Sequence, residues 1–225
     1  MRRRHVTAAL AAAWLAGGGA PARAALTESD AASGIRAALQ RAAVAAIATL
    51  GRTDGFLGNP QVRIELPRPL HDAARLLTVL GQGRQVDELV TAMNRAAEQA
   101  VPAARDLFVS TVKAISVEDA LRLVRGSTTA VTEFFAAKTR APLDRRFLPI
   151  VTQATDRAQL AQRYNAVAAR AGALGLLKGD ERSVQTYVTA RALDGLYFMM
   201  GVEEKRIRAD PVGTGSSLLR RVFGG

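Results

Sequence analysis

Two sets of polar side chains stand out because they interrupt otherwise apolar helical periods. Asn94 and Glu98 lie one turn apart beside Arg95, next to the apolar positions Val86, Leu89, Val90, Met93, Ala97 and Ala100. Glu203, Glu204 and Arg208 follow the apolar run Leu196-Tyr-Phe-Met-Met200, with Glu204 and Arg208 spaced for an i,i+4 ion pair. A carboxylate in such a place has two possible uses. It can orient a ligand or act as acid or base in a pocket, which demands a fixed separation between carboxylates that this spacing does not supply. It can also accept hydrogen bonds from helix ends and irregular backbone, because buried polar groups need partners. With Asp54, Asn59 and Arg63 of a turn-rich segment, these residues make one candidate polar or ligand-binding set: Asp54, Asn59, Arg63, Asn94, Arg95, Glu98, Glu204 and Arg208.

The rest of the chemical inventory is thin. There is no cysteine, and the two histidines are His5 and His71. A site built from several imidazoles is therefore ruled out, and His71 reads as an exposed residue at a helix start. Ser110-Thr-Val-Lys113 has the S-x-x-K spacing of penicillin-binding enzymes, but the S-D-N and K-T-G partners of that chemistry are missing. Asp54, Gly55 and Asn59 offer oxygens without the alternating acids of a calcium loop, and turn formation accounts for them. The glycines of 51–60 match neither a dinucleotide fingerprint nor a P-loop. No catalytic residue, metal site or cofactor is expected.

These side chains must be positioned by helices. From Ser29 onward the chain reads as helix after helix with Gly, Pro or Ser punctuation. Residues 29–50 carry Ile35, Leu39, Ala43, Ile47 and Leu50 on one face. Further helices are expected at about 69–80, 84–100, 103–115, 117–125 after a Ser116-x-x-Asp119 capping box, and 127–139. Another starts at Pro142, with a bend or break at Pro149, and the series continues at 157–171, 184–209 after Ser183, and 217–223. Leu196–Met200 is apolar on every side and should run through the middle. Val62-Arg-Ile-Glu-Leu66 alternates like a strand, yet no second strand-like run lies nearby, so 51–67 reads as an irregular extended segment laid over helices. The expected fold is an all-α single-domain bundle of about nine or ten helices, over 25–225.

Residues 1–24 have the pattern of a secretory signal peptide: Arg2, Arg3 and Arg4, an apolar run from Val6 to Ala16 too short to span a bilayer, and Ala22-x-Ala24. Its removal would lower the formal charge of +11 by four. The protein is expected in the periplasm or secreted, free of any membrane-spanning segment. The remaining positive charge comes from arginines spread along the whole chain, as on solvated helix faces. It leaves an envelope protein or an anionic envelope component as possible partners and argues against nucleic acid, more so after export.

Several strings taken together resemble a known family. Leu50-Gly-Arg-Thr-Asp-Gly-Phe-Leu57, Asn59-Pro-Gln-Val-Arg-Ile-Glu-Leu-Pro67, Met93-Asn-Arg-Ala-Ala-Glu-Gln-Ala-Val-Pro102, Glu118-Asp-Ala120 and Glu203-Glu-Lys-Arg-Ile-Arg-Ala-Asp-Pro211 look like the bacterial exported family catalogued as domain of unknown function 4197. Thr132-Glu-Phe-Phe135, Tyr164-Asn165, Ala192-Leu-Asp-Gly-Leu196 and the Val222-Phe-Gly ending fit it as well. The resemblance implies a mostly helical envelope protein and supplies no activity, catalytic residue or cofactor. The leading expectation is a non-catalytic binding module. The alternatives are a carrier with a lipid or other apolar molecule in its interior, and an envelope hydrolase using Glu98 or Glu204.

Overall fold

The computed structural model describes residues 28–68, 70, 78–124, 126–156, 164 and 183–210. The expected signal peptide, most of the helix at 69–80 with His71, the helix at 157–171 except Tyr164, the loop at 172–182 and the helix at 217–223 lie outside the described residues. Helix α1 (Glu28–Leu50) is followed by the irregular segment, and a π turn at Thr78–Gln82 leads into α2 (Gly83–Ala100). A 3-10 turn at Val101–Ala104 then joins α3 (Arg105–Lys113), and α4 (Val117–Val124), α5 (Ala130–Asp156) and α6 (Val184–Ala209) complete the order.

Among the described residues all regular structure is helical, as the periodicity predicts, but the helices are fewer than nine or ten. Three of the expected helices, at 69–80, 157–171 and 217–223, fall mostly or wholly outside those residues, and α5 merges two more by running unbroken through Pro142 and Pro149, where a new helix and then a bend were expected. Each proline frees the carbonyl four residues earlier. Those carbonyls belong to Lys138 and Arg145, which are exposed, so water can satisfy them. The buried side of α5 lies elsewhere: Val131, Phe135, Thr139, Leu143, Phe147, Val151 and Thr155 recur at four-residue intervals. A four-residue step advances about 40° around a 3.6-residue helix, so the stripe winds and meets α6, α2 and α3 in turn.

Helix α6 is the centre of the bundle, packed chiefly against α5, α1 and α2. It buries Val188, Ala192, Leu193, Leu196 and Met200 completely or nearly so. The expected all-round burial fails at one position, since Phe198 is 47% exposed. The core is otherwise filled by large side chains: Phe56, Phe108, Phe135 and Phe147 are fully buried, with Phe108 edge-on to Phe135 at 4.7 Å. The Tyr197 hydroxyl reaches Thr139 Oγ1 at 2.7 Å, and burial pushes its pKa up to about 12.

The start signals read from the sequence are used. Ser183 Oγ accepts from the Thr186 N–H at 3.2 Å, and Ser116 Oγ accepts from the Asp119 N–H at 3.0 Å. The capping box closes through side chains, with the Ser116 hydroxyl donating to Asp119 Oδ2, and this bond lowers the Asp119 pKa.

The segment 51–67 forms turns up to Val62 and is then extended to Pro67 without pairing as a strand. Its alternation has a packing cause: Val62 and Ile64 point into the core while Arg63 and Glu65 face out. Two glycines let it seat. A Cβ on Gly55 would lie 2.4 Å from the Leu50 carbonyl oxygen, where the chain folds back over the end of α1. On α6, a Cβ on Gly195 would lie 2.7 Å from the Phe56 ring and 3.3 Å from Val62 Cβ. Gly195→Ala should therefore cost roughly 1–3 kcal/mol, read as a lower midpoint in urea. Gly201→Ala, on the same helix with only ordinary contacts 3.5 Å and more away, should be neutral or stabilising by up to about 1 kcal/mol.

Candidate functional site

The eight candidate residues fall into two groups, each organised around a buried carboxylate. In the first, α2 presents Asn94 and Glu98 to the extended segment. Both lie beside the apolar stripe of α2, and they are 0% and 4% exposed. Asn94 Oδ1 accepts from the Ile64 N–H at 2.9 Å, while Nδ2 donates to the Ile64 carbonyl at 2.9 Å and to the Val90 carbonyl at 2.8 Å. The side-chain amide thus offers Ile64 what a neighbouring strand would offer. Its orientation is fixed chemically, because a flipped amide would set N–H against N–H.

Glu98 Oε1 accepts from the N–H groups of Phe56 and Leu57, at 3.1 and 3.2 Å. Its second oxygen accepts from Arg95 Nη1 at 2.7 Å, and Arg95 Nη2 reaches Asp54 Oδ1 at 2.8 Å. The hydrogen bonds to Glu98 and then to Asp54 raise the Arg95 pKa. Asp54 has a left-handed backbone, φ 63°, a conformation that Asp adopts more readily than most residues. Asn59 Oδ1 accepts from the Gln61 N–H at 3.1 Å, an Asx turn. Arg63 donates to Glu65 at 2.6 Å and to the Leu57 carbonyl at 3.0 Å. Six of the eight residues therefore converge on one stretch of irregular backbone.

Glu204 and Arg208 form the second group, where α6 passes the turn between α4 and α5. Glu204, 3% exposed, accepts from the N–H groups of Val131 and Thr132 at 3.3 and 2.9 Å and from the Thr132 hydroxyl at 2.7 Å. It is a cap supplied from another helix, since those amides belong to the first turn of α5 and have no partner within it. Arg208 Nε donates to Glu204 at 3.1 Å, and Nη2 donates to the Leu123 carbonyl at 3.2 Å, in the last turn of α4. The anion meets a helix N-terminus and the cation a helix C-terminus, so the pair complements both helix dipoles. Glu203 stands apart, turned to Arg206 near the surface.

Sequence reasoning missed a third feature. A groove of about 430 Å³ runs between the outer side of 61–65 and α6, lined by Arg63, Glu65, Tyr187, Arg191, Asp194 and Phe198, with Val62, Ile64 and Gly195 at its base. Tyr187 donates to the Glu65 carbonyl at 2.8 Å. Arg191 pairs with Asp194 at 3.1 Å and lies over the Tyr187 ring, and Arg140 pairs with Asp194 from the α5 side. The signal was present: Tyr187, Arg191, Asp194 and Phe198 recur at helical spacing along one face of a mostly apolar helix.

Among the described residues no group of three or more His, Cys, Asp or Glu is placed to hold a metal, and no helix is long and apolar enough to cross a membrane. Compared with known families, residues 25–224 match the family model described as protein of unknown function, DUF4197. The chain belongs to the DUF4197 family. No curated protein and no solved structure matches it. For this DUF4197 chain, then, the arrangement of its own side chains has to carry the functional argument.

That arrangement makes a stability prediction. Asn94→Asp loses the donor to two buried carbonyls and sets a carboxylate against them, and should cost about 2–4 kcal/mol. Glu204→Gln should cost a similar amount, about 2–4 kcal/mol, by removing the buried charge that faces Arg208 and one of the acceptors of the first α5 turn. Glu203→Gln, in a surface pair, should change stability by less than about 1 kcal/mol. Urea unfolding of the three variants checks the ranking.

Proposed function

We propose that the mature chain is an exported, non-catalytic binding module of the bacterial envelope, and that the groove between 61–65 and α6 is its binding face. One observation carries this reading. The buried polar groups Asn94, Glu98 and Glu204 have their oxygens taken up by the protein's own backbone and side chains, whereas Phe198 on the central helix is left half exposed in the groove. An exposed aromatic beside fixed polar groups is the usual composition of a recognition surface. Export is supported by the signal-like pattern of residues 1–24.

The other two readings draw less support. A lipid carrier needs an apolar interior cavity, and the described core is occupied by Phe56, Phe108, Phe135 and Phe147. A hydrolase needs a carboxylate free to act on a substrate; neither Glu98 nor Glu204 lines the groove, and the carboxylates that do, Glu65 and Asp194, are each held in ion pairs with arginine.

Affinity capture of the tagged full-length protein from its own cells tests the proposal. The expected results are a mature N-terminus at Ala25 and recovery of an envelope component that Phe198→Ala loses while keeping its melting temperature. Native mass spectrometry should find no tightly retained small molecule. Capture that ignores Phe198→Ala would contradict the assigned face. Turnover of ester, phosphate or peptidoglycan substrates, abolished by Glu98→Ala or Glu204→Ala without unfolding, would contradict the non-catalytic reading.

A further inference from the structure

We propose that the groove takes a neutral, hydroxyl-rich glycan strand; this rests on the reading of the groove as the binding face and names its ligand class. The protein carries a formal +11, yet the ionic residues lining the groove itself balance, Arg63 and Arg191 against Glu65 and Asp194, with Arg140 reaching Asp194 from outside the lining. A surface selecting an anionic polymer would instead line its groove with cations in excess. Here the preference is for a ligand without net charge.

A guanidinium held beside a carboxylate sets donors and acceptors side by side in fixed positions. Each hydroxyl of a sugar both donates and accepts, so adjacent hydroxyls on one ring match such a pair. The groove has two of these pairs on opposite walls, one on the extended segment and one on α6.

Phe198 is 47% exposed, whereas Tyr187 is buried, has Arg191 over its ring and donates its hydroxyl to the Glu65 backbone carbonyl. A flat apolar ring beside polar pairs suits the C–H face of a pyranose, whose edge is polar. From Tyr187 to Phe198 the stripe is about 16 Å long along the helix, enough for linked rings and not only a monosaccharide. The volume of about 430 Å³ is in the range of small-ligand sites.

The same geometry disfavours an extended peptide added beside 61–65. The backbone groups such a peptide would need are already used: the Arg63 N–H donates to the Asn59 carbonyl, the Glu65 carbonyl accepts from Tyr187, and both groups of Ile64 are held by Asn94.

Titration calorimetry on the mature full-length protein tests the inference, with chitotetraose and cellotetraose as neutral probes, dextran sulfate as a polyanion and unfolded casein as a peptide source. The expected result is saturable binding of at least one neutral tetrasaccharide, weakened roughly tenfold or more by Phe198→Ala and retained by Phe198→Tyr, which keeps an aromatic platform. Circular dichroism and melting temperature verify that both variants fold. Binding of neither tetrasaccharide, binding unaffected by Phe198→Ala, or binding of dextran sulfate or casein alone would overturn the glycan assignment. If envelope capture still depends on Phe198 in that event, the binding face stands and only its ligand class falls.

Discussion

Backbone amides and carbonyls that are buried outside a helix or sheet must find partners, and that constraint governs this fold. The segment 51–67 lies against the core with Phe56 and Ile64 inside, yet the described residues hold no strand for it to pair with. Asn94 takes both polar groups of Ile64, and Glu98 takes the amides of Phe56 and Leu57. Without them the apolar side chains could be buried only by stranding their own backbone, at a desolvation cost comparable to the burial they gain. Glu204 and Arg208 solve the same problem where α4 turns into α5.

This arrangement also links distant parts of the chain. Helix α2 holds the extended segment, the segment holds its place on α6 through Gly195 and Tyr187, and α6 caps α5 and closes α4. The groove inherits its rigidity from the first of these contacts. Its outer wall is the solvent side of the residues that Asn94 fixes from within, so Arg63 and Glu65 are presented on a held backbone and not on a free loop.

Much of this was legible in the sequence. Polar residues one turn apart beside an apolar stripe, as at Asn94 and Glu98, announce buried partners, and the extended reading of 62–66 follows from the lack of a second strand. The continuity of α5 was not legible, because a proline pattern says where an N–H is missing but not whether water can reach the carbonyl it frees, as at Lys138 and Arg145. Nor was the exposure of Phe198, since a run of apolar residues on a central helix does not reveal which one faces a gap between neighbours. The partners of Glu204 were hidden for a similar reason: Thr132 is 72 residues away in sequence.

The central claim is that side chains from α2 and α6 substitute for secondary structure at Phe56, Ile64 and Thr132. Site-resolved amide hydrogen exchange measures it directly. If the claim holds, these three amides exchange as slowly as Leu196 in the middle of α6, through global unfolding alone. Exchange of Phe56 and Ile64 at the rate of exposed turn amides, with Leu196 still protected, would contradict it.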